Sequence, residues 1–143
     1  MSCGSICIRT VVIAGVDESV REGARRMARE DVGALVVLDE AGKLIGMLTD
    51  RDVVVRCLAA GRDPVTTTIV EVMTAPVVAV QETTPIEDAL SKMVGARVRR
   101  LPVLDEKGEL VGILALDDVL ELLAEETATI GRLLRRAPLR RPE

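Results

Sequence analysis

Histidine, phenylalanine, tyrosine and tryptophan are all missing from this 143-residue chain. Without histidine there is no imidazole base, no Ser-His or Cys-His nucleophilic pair and no imidazole metal ligand. Without tyrosine another common proton donor is gone. Without any aromatic ring, single-stranded nucleic acid has nothing on which to stack its bases. Together these absences weigh against an enzyme. They also dictate the core: a chain that is 48% hydrophobic is no disordered segment, yet it must pack with Val, Leu, Ile, Met and Ala alone. Cysteine is scarce, and Cys3, Cys7 and Cys57 form an odd set. Cys3-x-x-x-Cys7 offers two thiolates, but a closed zinc site needs four ligands, so no metal site is expected. Cys57 falls in an apolar helical stretch and reads as a small core residue. No run approaches the ~20 apolar residues that cross a bilayer. No basic segment followed by an apolar one opens the chain. A cytoplasmic protein with no membrane partner is the expectation.

What the chain does have is an internal repeat. Residues 10–54 and 76–120 align without a gap at an offset of 66, with fifteen of 45 paired positions identical. The match centres on Leu35-Val-Val-Leu-Asp-Glu-Ala-Gly-Lys-Leu-Ile-Gly46 against Leu101-Pro-Val-Leu-Asp-Glu-Lys-Gly-Glu-Leu-Val-Gly112. A length of 143 residues accommodates one ordinary domain or two half-domains that share a core. A repeated unit of this size cannot bury its apolar face alone.

One copy reads as strand, helix, strand, strand, helix. Val11–Ala14 is β-branched and extended, and Asp17-Glu-Ser19 is a helix start. Val20, Ala24, Met27 and Ala28 then recur at helical spacing to about Asp31. Ala34–Leu38 is a buried strand, Asp39-Glu-Ala-Gly42 a hairpin turn, and Lys43–Leu48 the returning strand. From Asp50 the pattern turns helical, with Val53, Val54, Cys57 and Leu58 as one stripe and Gly61 as the stop. The second copy repeats this over Val77–Val80, Pro85–Val94, Arg100–Leu104 and Glu109–Leu114, with a last helix from near Asp117. Ile69–Met73 is a short helical lead-in, matched at the same offset by Cys3–Cys7. The units are thus 3–61, a linker at 62–68 with a helix-breaking Pro64, 69–125, and a helical extension with a basic tail at 126–143. That tail carries Arg132, Arg135, Arg136, Arg140 and Arg141, which could neutralise phosphates. The net charge of −4 and the nearby Glu121, Glu125 and Glu126 favour a solvated basic end over nucleic-acid binding.

The two copies differ most where a strand meets a helix. The first reads Gly46-Met-Leu-Thr49-Asp-Arg-Asp52, the second Gly112-Ile-Leu-Ala115-Leu-Asp-Asp118. A Thr hydroxyl at a helix start suits a phosphate, and an Asp one turn on suits the paired hydroxyls of a ribose. The same Thr-x-x-Asp pattern is also a capping box, which requires no ligand. The residues alone leave both readings standing.

The twofold unit, the hairpin Leu101–Ile113 and the Gly-x-x-Thr-x-x-Asp junction together resemble tandem CBS domains, the pair called a Bateman module, of the small stand-alone bacterial type. The resemblance covers roughly residues 3–125. It implies an α+β fold of two βαββα repeats, related by a pseudo-twofold axis around a central cleft. It also implies a non-enzymatic regulatory protein binding an adenosine-containing ligand there: AMP, ADP, ATP, NAD or S-adenosylmethionine. By position, Asp52 would hold the ribose hydroxyls and Thr49 the phosphate, while Met47, Thr74, Val77 and Ala79 would wall the adenine. Arg100, with Arg99 beside it, would reach the phosphates through a planar donor fork. In the second copy Ile113 and Asp118 hold the corresponding places, but Ala115 has no hydroxyl, and Gly33-Ala34 faces the pair Arg99-Arg100. One good site and one weak or empty one are therefore expected. The resemblance further implies a homodimer signalling to an unknown effector protein. The alternatives are a structural or stress-related interaction protein that binds no ligand, or a nucleic-acid-associated protein working through the arginine-rich tail.

Overall fold

The computed structural model describes residues 1–136, the side chain of Arg136 excepted; Arg140 and Arg141 of the basic tail lie outside the described residues. In chain order the elements are α1 (Cys3–Ile6), β1 (Ile13–Gly15), α2 (Val20–Glu30), β2 (Ala34–Leu38), β3 (Leu44–Thr49) and α3 (Asp50–Asp52), which runs straight into a π-helical turn over Val53–Leu58. Then come α4 (Ile69–Val72), β4 (Val80–Gln81), α5 (Ile86–Ala96), β5 (Arg100–Leu104), β6 (Leu110–Ala115) and α6 (Leu116–Arg136). Two three-stranded sheets result, ordered β1-β2-β3 and β4-β5-β6. In each, the first pair is parallel across a helix and the second is an antiparallel hairpin. The repeat extends to the register: Val37 pairs with Gly46 as Val103 pairs with Gly112, and each hairpin carries an irregularity one residue later.

Local chemistry explains why the repeated residues are the ones kept. In the first hairpin, Asp39 Oδ1 accepts the backbone N–H of Ala41 and Lys43, and Gly42 takes a φ of 81°. In the second, Asp105 Oδ1 accepts from Lys107 and Glu109, and Gly108 takes a φ of 80°. A side-chain turn followed by a left-handed residue is what Asp-x-x-Gly supplies at least cost. Helix α2 starts where Ser19 Oγ accepts the Glu22 N–H at 3.2 Å, and it ends at Asp31 in the left-handed conformation.

The lead-in helices change places. Ile69 and Val72 of α4 are fully buried among Ala14, Val20, Leu35, Leu48 and Cys57 of the first half. Cys3 of α1 is fully buried among Val80, Ala89, Leu101 and Leu114 of the second. Backbone pairing fixes the exchange: Met47 and Thr74 exchange two hydrogen bonds of 3.1 and 2.8 Å, and Ile8 and Ile113 exchange two of 2.8 and 2.9 Å. These crossings explain the Gly in each hairpin. A Cβ at Gly46 would collide with the Met73 side chain, and one at Gly112 would lie 2.7 Å from Cys7 Sγ and 2.8 Å from the Ile8 carbonyl. Ala34, Val36 and Met47 are buried outside that core cluster, so the other face of the first sheet is covered too.

Three expectations shift. The stripe Val53-Val54-Cys57-Leu58 is split, because after Asp52 the backbone bonds five residues back, as from Ala59 N–H to the Val54 carbonyl. This wider turn keeps Cys57 buried but turns Val54 (55%) and Leu58 (59%) outward. Ala28 is exposed, since Val20, Gly23 and Met27 already make the contact face of α2. The first strand of each copy is shorter and later than its β-branched run, so Val77 and Val78 lie outside β4.

Two outcomes follow. Ile69→Ala should cost ~2–5 kcal/mol in urea unfolding, as a first-half core truncation does, although Ile69 opens the second copy. Glu18 accepts hydrogen bonds from Arg26 and from the Gly15 N–H. The Arg26 hydrogen bond, chiefly, holds the Glu18 carboxyl below its ordinary value of 4.5, against the opposing effect of partial burial. Because the folded value is the lower one, this stabilisation is complete above pH 4.5 and is lost as pH falls through the folded value. Glu18→Gln should therefore destabilise the protein at pH 7, and the gap to wild type should narrow in unfolding curves near pH 3.

Candidate functional site

Between the halves lies a cavity of about 720 Å³ whose walls come from both copies. The first copy contributes the end of β3 and the start of α3. Thr49 caps that helix: its Oγ1 accepts the Asp52 N–H at 3.1 Å, while Asp52 Oδ2 accepts the Thr49 N–H at 3.0 Å. The capping box is thus formed. The crossed-over segment adds to it, because the Thr74 hydroxyl donates to both Asp52 oxygens at 3.1 and 3.2 Å. Arg56, one turn after Asp52, places Nε 3.7 Å from Oδ1 and donates through Nη1 to the Met73 carbonyl at 2.9 Å. Asp52 is 7% exposed, so its carboxylate is oriented from three sides and still has acceptor capacity toward the cavity.

The second copy contributes the turn after α5 and the start of β5. Arg97 sits in the left-handed conformation at the end of α5, and Val98, Arg99 and Arg100 follow it along the wall. Arg100 reaches toward the first copy. A Cβ at Gly33 would lie 2.9 Å from Arg100 Nη2 and 3.1 Å from Asp50 Oδ2, so the guanidinium and the Asp50 carboxylate both lie against the bare Gly33 backbone. The lining includes five arginines (Arg51, Arg56, Arg97, Arg99, Arg100) against three aspartates (Asp50, Asp52, Asp117), an excess that favours an anion.

Of the residues singled out from sequence, Met47, Thr49, Asp52, Thr74, Val77, Arg99 and Arg100 come together here. Ala79, Ile113 and Asp118 do not line this cavity. Ala79 leads into β4, and Ile113 is engaged with Ile8. At Asp118 the hydroxyl that donates to the Asp52 carboxylate is missing, because Ile8 stands for Thr74, and Ala115 in place of Thr49 offers no hydroxyl to cap the helix. Asp118 Oδ2 is accordingly buried without a hydrogen-bond partner. Sequence reasoning missed Asp50, Arg51, Arg56, Pro76, Val78, Ala96, Arg97, Val98 and Asp117. Arg56 had a signal, since it stands four residues after Asp52 on a helix; the residues around Pro76 and Arg97 enter through turns that no periodicity marks.

Comparison with known proteins agrees with this architecture. The CBS domain family model matches twice, over residues 3–58 and 69–125. The chain is 37% identical over 125 residues to hypoxic response protein 1 of Mycobacterium tuberculosis, spanning 87% of this chain and 82% of that one. It is 32% identical over 130 residues to an uncharacterised protein of Methanopyrus kandleri, covering 91% of this chain but 66% of that protein's length. Among solved structures, the CBS domain pair of protein MJ0100 in complex with 5′-methylthioadenosine and S-adenosyl-L-methionine superposes with a TM-score of 0.79 at 27% identity, over 88% of this chain and 98% of that one. Hypoxic response protein I with two coordinated zinc ions gives 0.75 at 36% identity, over 85% and 98%. In this chain, among the described residues, no three His, Cys, Asp or Glu side chains converge as metal ligands do.

The tie between Thr74 and Asp52 is open to direct test. Thr74→Val leaves a buried carboxylate short of a donor and should cost ~1–3 kcal/mol in chemical denaturation.

Proposed function

This chain belongs to the CBS domain family, and we propose that it is a non-enzymatic regulatory module binding one phosphate-bearing adenosine ligand per chain in the cleft between its repeats. The observation that carries this reading is the oriented Asp52 carboxylate standing across the same cavity from Arg100. A volume of about 720 Å³ is in the range of small-molecule sites. Asp52 takes the ribose hydroxyls, Thr49 and Arg100 the phosphate, and Met47, Val77 and Val78 the adenine faces. The arginine excess sorts the adenosine ligands among themselves. S-adenosylmethionine carries a sulfonium charge and 5′-methylthioadenosine no phosphate, so AMP, ADP, ATP or NAD suits these walls better. The region of Asp118 and Ile113, with Ile8 and Ala115 in place of the two threonines, holds no nucleotide.

Signal output needs only that the ligand prefer one of two conformations. Asp52 immediately precedes the π-helical turn that presents Val54, Val55 and Leu58 on the surface. Pulling on Asp52 therefore bears on an apolar patch, through which the chain forms a homodimer and addresses an effector protein.

One observation favours the ligand-free alternative: the capping box satisfies Thr49 and Asp52 within the chain. Thermal unfolding with AMP, ADP, ATP, NAD and S-adenosylmethionine separates the two readings. A ligand at ~100 times its Kd adds ~2.7 kcal/mol, a plain rise in Tm. The phosphate-bearing ligands should raise Tm, and Arg100→Ala should abolish the rise without lowering the basal Tm. No rise with any of them, or a rise that survives both Arg100→Ala and Asp52→Ala, sinks the proposal.

A further inference from the structure

Asp50 puts a carboxylate on the wall of a cavity whose arginine excess favours an anion. The side chain is held there. Its Oδ1 accepts the Arg51 N–H at 2.9 Å, while the Asp50 N–H donates to the Gly33 carbonyl at 3.0 Å. Its Oδ2 lies 3.1 Å from the point that a Cβ on Gly33 would occupy, and Arg100 Nη2 lies 2.9 Å from the same point. A carboxylate of the first copy and a guanidinium of the second thus flank one bare stretch of backbone. Among the described residues, neither side chain closes an ion pair.

The repeat shows that this charge is peculiar to one junction. At the offset of 66, Asp50 answers to Leu116. The Leu116 N–H donates to the Arg99 carbonyl at 2.9 Å, as the Asp50 N–H does to that of Gly33, so the backbone is the same. The side chains part company: Leu116 packs against the second core, and Asp50 is exposed in the cleft. The start of α3 is already closed by the Thr49–Asp52 capping box, so the helix does not require a further acid at 50. What Asp50 faces is Arg100.

A guanidinium fork is planar and engages one carboxylate or one phosphate face to face. Arg100 therefore has two anions to choose from, the tethered Asp50 and the phosphate of a ligand. Resting on the adenosine-ligand reading of this cleft, we infer that Asp50 is a specificity-determining residue, an internal counter-anion that competes with the ligand phosphate for Arg100. It weakens every phosphate-bearing ligand, leaves the nucleoside part untouched, and so raises the nucleotide concentration at which the cleft fills.

The test is calorimetric titration of adenosine and of ADP into the full chain as wild type, Asp50→Asn and Asp50→Glu. Asn keeps an oxygen for the Arg51 N–H and removes only the charge, at an exposed position, so the fold is retained. Asp50→Asn should bind ADP about three- to tenfold more tightly, the effect of removing one like charge near the phosphate in a solvated cleft. Adenosine should bind both proteins alike, and Asp50→Glu, which keeps the charge, should show no gain. Equal or weaker ADP binding by Asp50→Asn overturns the inference, because Asp50 would then be holding Arg100 ready for the ligand. A gain shared by adenosine, or reproduced by Asp50→Glu, also overturns it, because shape rather than charge would be the cause. If ADP binds neither wild type nor Asp50→Asn, the adenosine reading itself has failed and the inference falls with it.

Discussion

Two backbone hydrogen bonds between Met47 and Thr74 join the second copy's lead-in segment to the last strand of the first. Much of the rest depends on that crossing. It seats Ile69 and Val72 in the first core, it sets the Met73 side chain against Gly46, and it delivers the Thr74 hydroxyl to Asp52. It also carries Val77 and Val78 along the cleft wall. A unit that cannot close its own core is completed by its twin, which is how two weak halves become one stable body.

The mirror crossing, Ile8 with Ile113, has the same backbone geometry and none of the polar chemistry. The symmetry is therefore one of scaffold, and the asymmetry is one of side chains. Ile8 for Thr74 takes away the hydroxyl that serves the Asp52 carboxylate, and Asp118 is left with a buried oxygen and no partner. Gly33, at the place of Arg99, lies against the Arg100 guanidinium. The changes on both copies converge on one cleft, the one assigned to the ligand.

Much of this was legible in the sequence. The 66-residue offset, the Asp-x-x-Gly turns and the apolar runs identify both hairpins and both helices to within a few residues, because turn chemistry and periodicity are local. The short lead-ins at Cys3 and Ile69 were visible as helices, but not their exchange, since an apolar face does not name the face it meets. The π-helical turn was hidden for a related reason: Val53, Val54, Cys57 and Leu58 satisfy an α-helical stripe, and only the backbone bonding after Asp52 reveals that Val54 and Leu58 point outward. Most of the cavity residues found by alignment do converge. Those from turns, Pro76 and Arg97 among them, follow no spacing rule and appear only when the two halves are brought together.

The account centres on a nucleotide at Asp52 and none at Asp118, and a crystal structure of the full chain grown with excess ADP tests this most directly. The account predicts nucleotide density in a single cleft, its ribose on Asp52 and its phosphates toward Arg100. Equal density beside Asp118, or an empty cleft at Asp52, would contradict it.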